Sequence, residues 1–181
     1  MTISASLGAL LKKSFFITPH DDNGRRAVRL KEDKPPKCKV DVFGIPADSI
    51  ILRSDLYPPP NETFNSTYGE CCRADFVIIS HSKKLIVFIE LKSSKPSKAN
   101  KVVNQLKGAL CFMEYCSIIA FWFCDEMDNL NNYEHRFVCL VAQTQKQTTG
   151  TQSGHAGQNT DPRKPKYIYR PTKAQFGSMI S

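Results

Sequence analysis

The chain has 181 residues, 41% of them hydrophobic and 23% charged, which suits one domain with a packed core and excludes wholesale disorder. No apolar run approaches the roughly 20 residues of a membrane helix, and neither a cationic start nor a small-residue cleavage site marks residues 5–11 as a signal peptide, so a cytoplasmic chain without a membrane partner is expected. Lys and Arg number 25 against 17 Asp and Glu, and the net charge of +8 points to a polyanionic partner, with solubility alone as the plain alternative.

In chain order, residues 2–16 carry Leu7, Leu10, Leu11, Phe15 and Phe16 at near-helical spacing, which predicts a first helix. Residues 21–39 are polar and strongly basic, broken by Pro35-Pro36, and read as a loop or an irregular edge strand. Short strands are predicted at 40–45 and 50–52, followed by a loop over 58–69. Residues 72–80 and 84–92 are β-rich runs joined by a polar turn at His81-Ser82-Lys83, the pattern of a hairpin. A helix is expected over 97–115, with Val102, Val103, Leu106, Leu110 and Met113 on one face and Lys98, Lys101 and Lys107 elsewhere. Residues 117–124 read as a buried strand, 136–142 as another, 143–165 as a flexible loop, and 167–170 as a late strand. The order predicts one α/β domain over 1–181, a mixed central β-sheet flanked by helices.

Chemistry concentrates at the end of one strand. Residues 85–89 are apolar throughout, so both faces of that strand should be covered, yet Glu90 and Lys92 follow. Two residues apart on a strand, they project from the same face, roughly 6–7 Å apart. An even-length hairpin loop sets Asp75 opposite Phe88, on the face of Glu90 and Lys92 and diagonal to Glu90; an odd loop sends it to the other face. Two converging carboxylates beside a lysine suit a hard divalent cation, Mg²⁺ or Mn²⁺, and phosphodiester chemistry, with Lys92 orienting water or stabilising the transition state.

Arg73-Ala74-Asp75, fourteen residues, then Glu90-Leu91-Lys92 resembles the PD-(D/E)XK nuclease superfamily, the fold of restriction endonucleases and Holliday junction resolvases. The resemblance covers residues 70–123 and implies a restriction-endonuclease-like core and a metal-dependent nuclease. It gives Asp75, Glu90 and Lys92 the catalytic roles, with Asp75, Glu90 and the Leu91 carbonyl on the metal. Gln105, thirteen residues beyond Lys92, matches the glutamine that many members carry on the next helix. Two features depart from the family pattern: Ala74 replaces the motif proline, and the first helix lacks the acidic residue found in many members, for which Glu70 or Asp41 are candidate substitutes. Some relatives hold an iron–sulfur cluster on four cysteines, but Cys111, Cys116, Cys124 and Cys139 are spaced too widely for one and read as core residues.

The resemblance makes nucleic acid the partner, DNA before RNA because most of the family acts on DNA. Lys95, Lys98 and Lys101 would follow its backbone and Arg25, Arg26 and Arg29 would form a second arm. No base-reading module is evident. A homodimer or a larger assembly is expected, since one site cuts one strand. Two rivals remain: a catalytically inactive nuclease-like subunit that binds nucleic acid or docks a protein, and an unrelated α/β protein in which Asp75, Glu90 and Lys92 are a surface ion-pair set. The seven cysteines read as reduced thiols, the adjacent Cys71 and Cys72 are assigned neither a disulfide nor a metal, and the sequons at Asn61 and Asn65 read as chance matches.

Overall fold

In the computed structural model, which describes residues 3–32, 38–124, 130–142, 159–169 and 173–181, the apolar run after Leu85 becomes the central strand of the molecule. The described elements are α1 (Ile3–Leu10), β1 (His20–Asp22), β2 (Arg25–Glu32), β3 (Cys38–Phe43), β4 (Ile50–Arg53), β5 (Phe76–Ser80), β6 (Leu85–Lys92), α2 (Ala99–Cys124), β7 (Glu134–Val141), β8 (Lys166–Tyr169), β9 (Lys173–Gln175) and α3 (Phe176–Ile180). Strand β6 is buried from Leu85 to Leu91, as a run without polar alternation requires. It pairs with β5 antiparallel and with β7 parallel, in a mixed sheet of order β4-β5-β6-β7-β8. The parallel pair needs a long crossover, which α2 supplies.

One face of this sheet is covered by α1 and α2. Leu7 joins Val102, Leu106, Ala109, Phe112 and Met113 in a core against Val77, Ile86, Phe88 and Phe137. The other face is covered by a second sheet, β1-β2-β3-β9, together with α3, through a separate core that includes Val28, Leu30, Val40, Val42 and Phe176. The class is mixed α/β, as expected. The arrangement corrects the idea of one sheet flanked by helices, because the second layer is itself a sheet.

Two segments differ from their predicted states. Residues 25–32, predicted as a loop or irregular edge strand, form a regular interior strand of the second sheet, with Ala27, Val28 and Leu30 buried. Its basic residues point outward, and one of them, Arg29, pairs with Asp41 at 2.7 Å. Residues 117–124, predicted as a buried strand, instead extend α2 to 26 residues. An eight-residue apolar run fits either period, and here helical spacing prevails: Cys116, Ser117 and Ala120 are buried, while Ile118, Phe121, Trp122 and Phe123 are 52–76% exposed. Cys111, read as a core residue, is exposed on the same helix. By length and composition α2 could cross a membrane, but its inner face is part of the core. Of the predicted loop 143–165, residues 143–158 lie outside the described residues. In the remainder, Asn159 is buried, accepts a hydrogen bond from the Phe137 amide at 2.8 Å and donates to the Met179 carbonyl at 2.8 Å. Strand β9 and α3 carry too few residues to announce themselves in sequence.

Candidate functional site

The hairpin loop contains four residues, 81–84, because Ser80 pairs with Leu85. The parity is therefore the one that brings Asp75 to the face of Glu90. The register, however, lies two residues from the expected one. Phe76 pairs with Ile89, and one further step sets Asp75 opposite Glu90 instead of Phe88. The two carboxyl residues are thus direct cross-strand neighbours.

Each is fixed by the chain around it. Asp75 precedes β5, and its carbonyl accepts from the Asp55 amide at 3.4 Å. The buried Ser54 hydroxyl donates to the Ala74 carbonyl at 2.8 Å, which anchors the same turn. The Asp75 Oδ2 atom accepts the Leu91 amide at 2.7 Å, so the carboxylate is held by the backbone of β6 itself. Glu90 is 1% exposed; its Oε1 is paired with the Lys92 ammonium, and its buried Oε2 has no hydrogen-bond partner. The Lys92 carbonyl accepts the Ala142 amide at 2.6 Å, which pins the end of β6 beside β7.

A cleft of about 510 Å³ opens beside these groups, lined by Asp75 and Lys92 and by Gln105 from α2. The Gln105 amide nitrogen lies 3.4 Å from the Arg73 carbonyl that accepts it, and its Oε1 is buried without a partner. Arg73 also lines the cleft, with Nε and Nη1 lacking partners among the described residues. Two glycines allow the loop before Asp75 to lie on α2. A Cβ at Gly108 would collide with the Cys72 carbonyl oxygen, and a Cβ at Gly69, whose φ is +81°, would collide with Asn104.

Burial raises the Asp75 carboxyl to about 7, against the pull of the Leu91 amide, and Glu32 adds to the rise. Burial likewise raises Glu90 to about 8, with Asp75 the next cause. Burial pulls Lys92 down, but the neighbouring Glu90 outweighs it and holds the ammonium above its ordinary value. The site is therefore a buried acidic pair with one counter-cation, an arrangement that strongly favours an added positive charge.

Several predicted residues do not converge on this cleft. Asp41 is engaged by Arg29, and Glu70 accepts the Tyr68 amide in an exposed loop, so neither supplies a further carboxylate there. Arg25 and Arg26 open β2, whose other end, Glu32, reaches the cleft; seven steps along the strand separate Arg25 from Glu32, roughly 23 Å. Lys101 does line the cleft, while Lys95 and Lys98 line a neighbouring cavity. Sequence reasoning missed Glu32 and Asp55, both on the cleft wall. Asp55 pairs with Arg53 at 3.1 Å. The alternation of Val28 and Leu30 places Glu32 on the inner face, a signal present in the sequence but hidden by the basic residues between them. Cys71 and Cys72 also line the cleft and are free thiols.

Among the described residues, no three His, Cys, Asp or Glu groups form a ready metal cage. Asp75 and Glu90 nevertheless suit a hard cation completed by waters and substrate, because both offer carboxylate oxygens and Glu90 Oε2 is buried without a partner. Compared with known proteins, the chain matches no family model, no curated protein and no solved structure.

Proposed function

We propose that the protein is a metal-dependent phosphodiesterase, a nuclease of the PD-(D/E)XK type with a restriction-endonuclease-like core, acting on DNA before RNA. The observation that carries the reading is Asp75 set opposite the buried Glu90, which is ion-paired to Lys92, at the end of a buried strand beside a cleft that Asp75 and Lys92 line. The succession of α1, the strands β4 to β6, the crossover α2 and the parallel β7 supports the same core. Asp75 and Glu90, with the Leu91 carbonyl, would hold Mg²⁺ or Mn²⁺. Such a cation supplies charge neutralisation at the phosphodiester and a more acidic bound water.

The chain's own groups perform the rest. The Leu91 amide orients the Asp75 carboxylate. Lys92, kept protonated beside Glu90, donates to an attacking water or to the negative oxygen that develops on phosphorus. Gln105 and Arg73 line the same cleft, and their buried Oε1, Nε and Nη1 atoms, without partners among the described residues, would turn to the water and a phosphate oxygen once substrate is bound.

The test is cleavage of single-stranded, double-stranded and branched DNA and of RNA, with Mg²⁺, Mn²⁺ or chelator, by the wild type and Asp75→Ala. Cutting that requires metal and vanishes in the variant is the expected result. Wild type that binds the panel but cuts none of it would contradict hydrolysis and favour the inactive binding subunit.

A further inference from the structure

We infer that the cavity next to the cleft seats the phosphodiester flanking the scissile one, so that the site takes a polynucleotide backbone and not an isolated phosphate ester. This rests on the proposed reading of the cleft and extends it to the substrate. The cavity, about 480 Å³, lies where the chain passes from the end of β6 to the start of α2. Its walls include four lysines, Lys92, Lys95, Lys98 and Lys101, and three serines, with no carboxylate among them. Lys92 and Lys101 also line the catalytic cleft, so the two spaces share a wall, and a strand leaving the first enters the second.

The chemistry of that wall selects its occupant. Lys95, Lys98 and Lys101, with three serine hydroxyls, supply donors for the two non-bridging oxygens, sharing one negative charge, of each phosphodiester in a strand. Among the described residues no carboxylate pairs with Lys95, Lys98 or Lys101, so their charge is uncompensated by the protein. The first turn of the 26-residue helix α2 adds its positive end on the same side. The volume falls within the range of about 300–1,000 Å³ typical of small-ligand sites, so a sugar and its phosphate fit. The lining contains no aromatic ring on which a base could stack, and its apolar members are Pro96 and Val102. The cavity therefore recognises charge and backbone and is indifferent to sequence.

The experiment measures binding in chelator, separate from cleavage, using labelled single-stranded DNA of about 20 nucleotides across about 50 to 200 mM salt. Lys95→Ala/Lys98→Ala should raise Kd about tenfold or more and make the slope of log K against log salt shallower by about 1.4, two phosphates at about 0.7 each. Lys95→Arg/Lys98→Arg should bind within about threefold of wild type, which separates lost charge from lost folding. Oligo-dA and oligo-dT should bind alike, and inorganic phosphate or pyrophosphate should compete only through ionic strength. Unchanged affinity in the alanine variant, strong preference between the two homopolymers, or displacement by pyrophosphate at matched ionic strength would each overturn the inference. DNA binding without cleavage in Mg²⁺ leaves it standing and contradicts hydrolysis; cleavage with unaltered binding by the alanine variant contradicts this subsite alone.

Discussion

Replacing Lys92 by Met is expected to lower the rate of phosphodiester cleavage by about 10²–10⁴-fold while leaving the fold in place. Methionine retains most of the stem that β6 buries and removes the ammonium. Glu90 then loses its ion-pair partner, and because burial already favours its protonated form, it will take up a proton. The buried charge is thereby neutralised, and stability changes little. In the proposed mechanism catalysis has no such escape, since the lost donor is the one assigned to the reacting phosphate or its water. Lys92→Arg should be nearly as inactive, because a planar guanidinium cannot occupy the position of a compact ammonium. Steady-state kinetics at saturating substrate, with circular dichroism as the folding check, read both outcomes. A well-folded Lys92→Met protein that cleaves at the wild-type rate would show that the lysine serves only to balance Glu90.

The second large effect lies away from the chemistry. At an ordinary exposed helix position, Gly→Ala stabilises by up to about 1 kcal/mol. At Gly108 the sign should reverse. An added Cβ would meet the Cys72 carbonyl oxygen and lie 2.8 Å from the carbon that bears it, and both atoms belong to backbone that cannot rotate away. Either α2 or the loop carrying Arg73 and Asp75 must move. Overpacking of this kind costs about 1–3 kcal/mol, and a displacement of about 1 Å at Asp75 would reduce activity about 10²-fold. Thermal denaturation and kcat/KM of Gly108→Ala test the two parts together. A variant that melts higher and cleaves normally would show that the loop yields freely.

Much of this site is legible in the order of the residues alone. The apolar run that ends in Glu90-Leu91-Lys92, short, β-branched and set after a polar turn, reads as a buried strand, and the period of a strand puts Glu90 and Lys92 on one face. The loop parity does not follow from composition, because a polar turn around residues 81–83 admits odd and even loops alike; the pairing of Ser80 with Leu85 makes it even. The absolute register does not follow, because turns starting at Ser80 or at His81 are equally polar, and the difference moves Asp75 from diagonal to directly opposite Glu90. Glu32 is hidden for another reason. Five of the eight residues of β2 are charged, so composition suggests a loop, while the strand is held by long-range pairing with β3 through Ala27, Val28 and Leu30. The end of α2 misleads in the opposite sense. Residues 117–124 are hydrophobic enough to suggest burial, yet several of their aromatic side chains face outward. Hydrophobicity alone cannot reveal that a 26-residue helix outruns the sheet it covers.

The most direct measurement of the central claim, that Asp75 and Glu90 form a divalent-cation site, is the melting temperature as a function of pH with chelator and with Mg²⁺. Both carboxyls are raised in the fold, Asp75 from 3.8 to about 7 and Glu90 from 4.5 to about 8. The native state therefore holds protons that the unfolded chain releases. The stabilisation is fully present below about pH 4, is lost as pH climbs through about 7 and 8, and is absent above that window. In chelator, the melting temperature should decline across that range. Mg²⁺, which binds the ionised pair, should restore it near pH 8 and do little near pH 5, where protons occupy the site. Asp75→Asn should remove the Asp75 part of the pH dependence, leaving the part due to the buried Glu90, and abolish the Mg²⁺ shift. A wild-type melting temperature that Mg²⁺ leaves unmoved at pH 8, or a shift that survives in Asp75→Asn, would contradict the assignment.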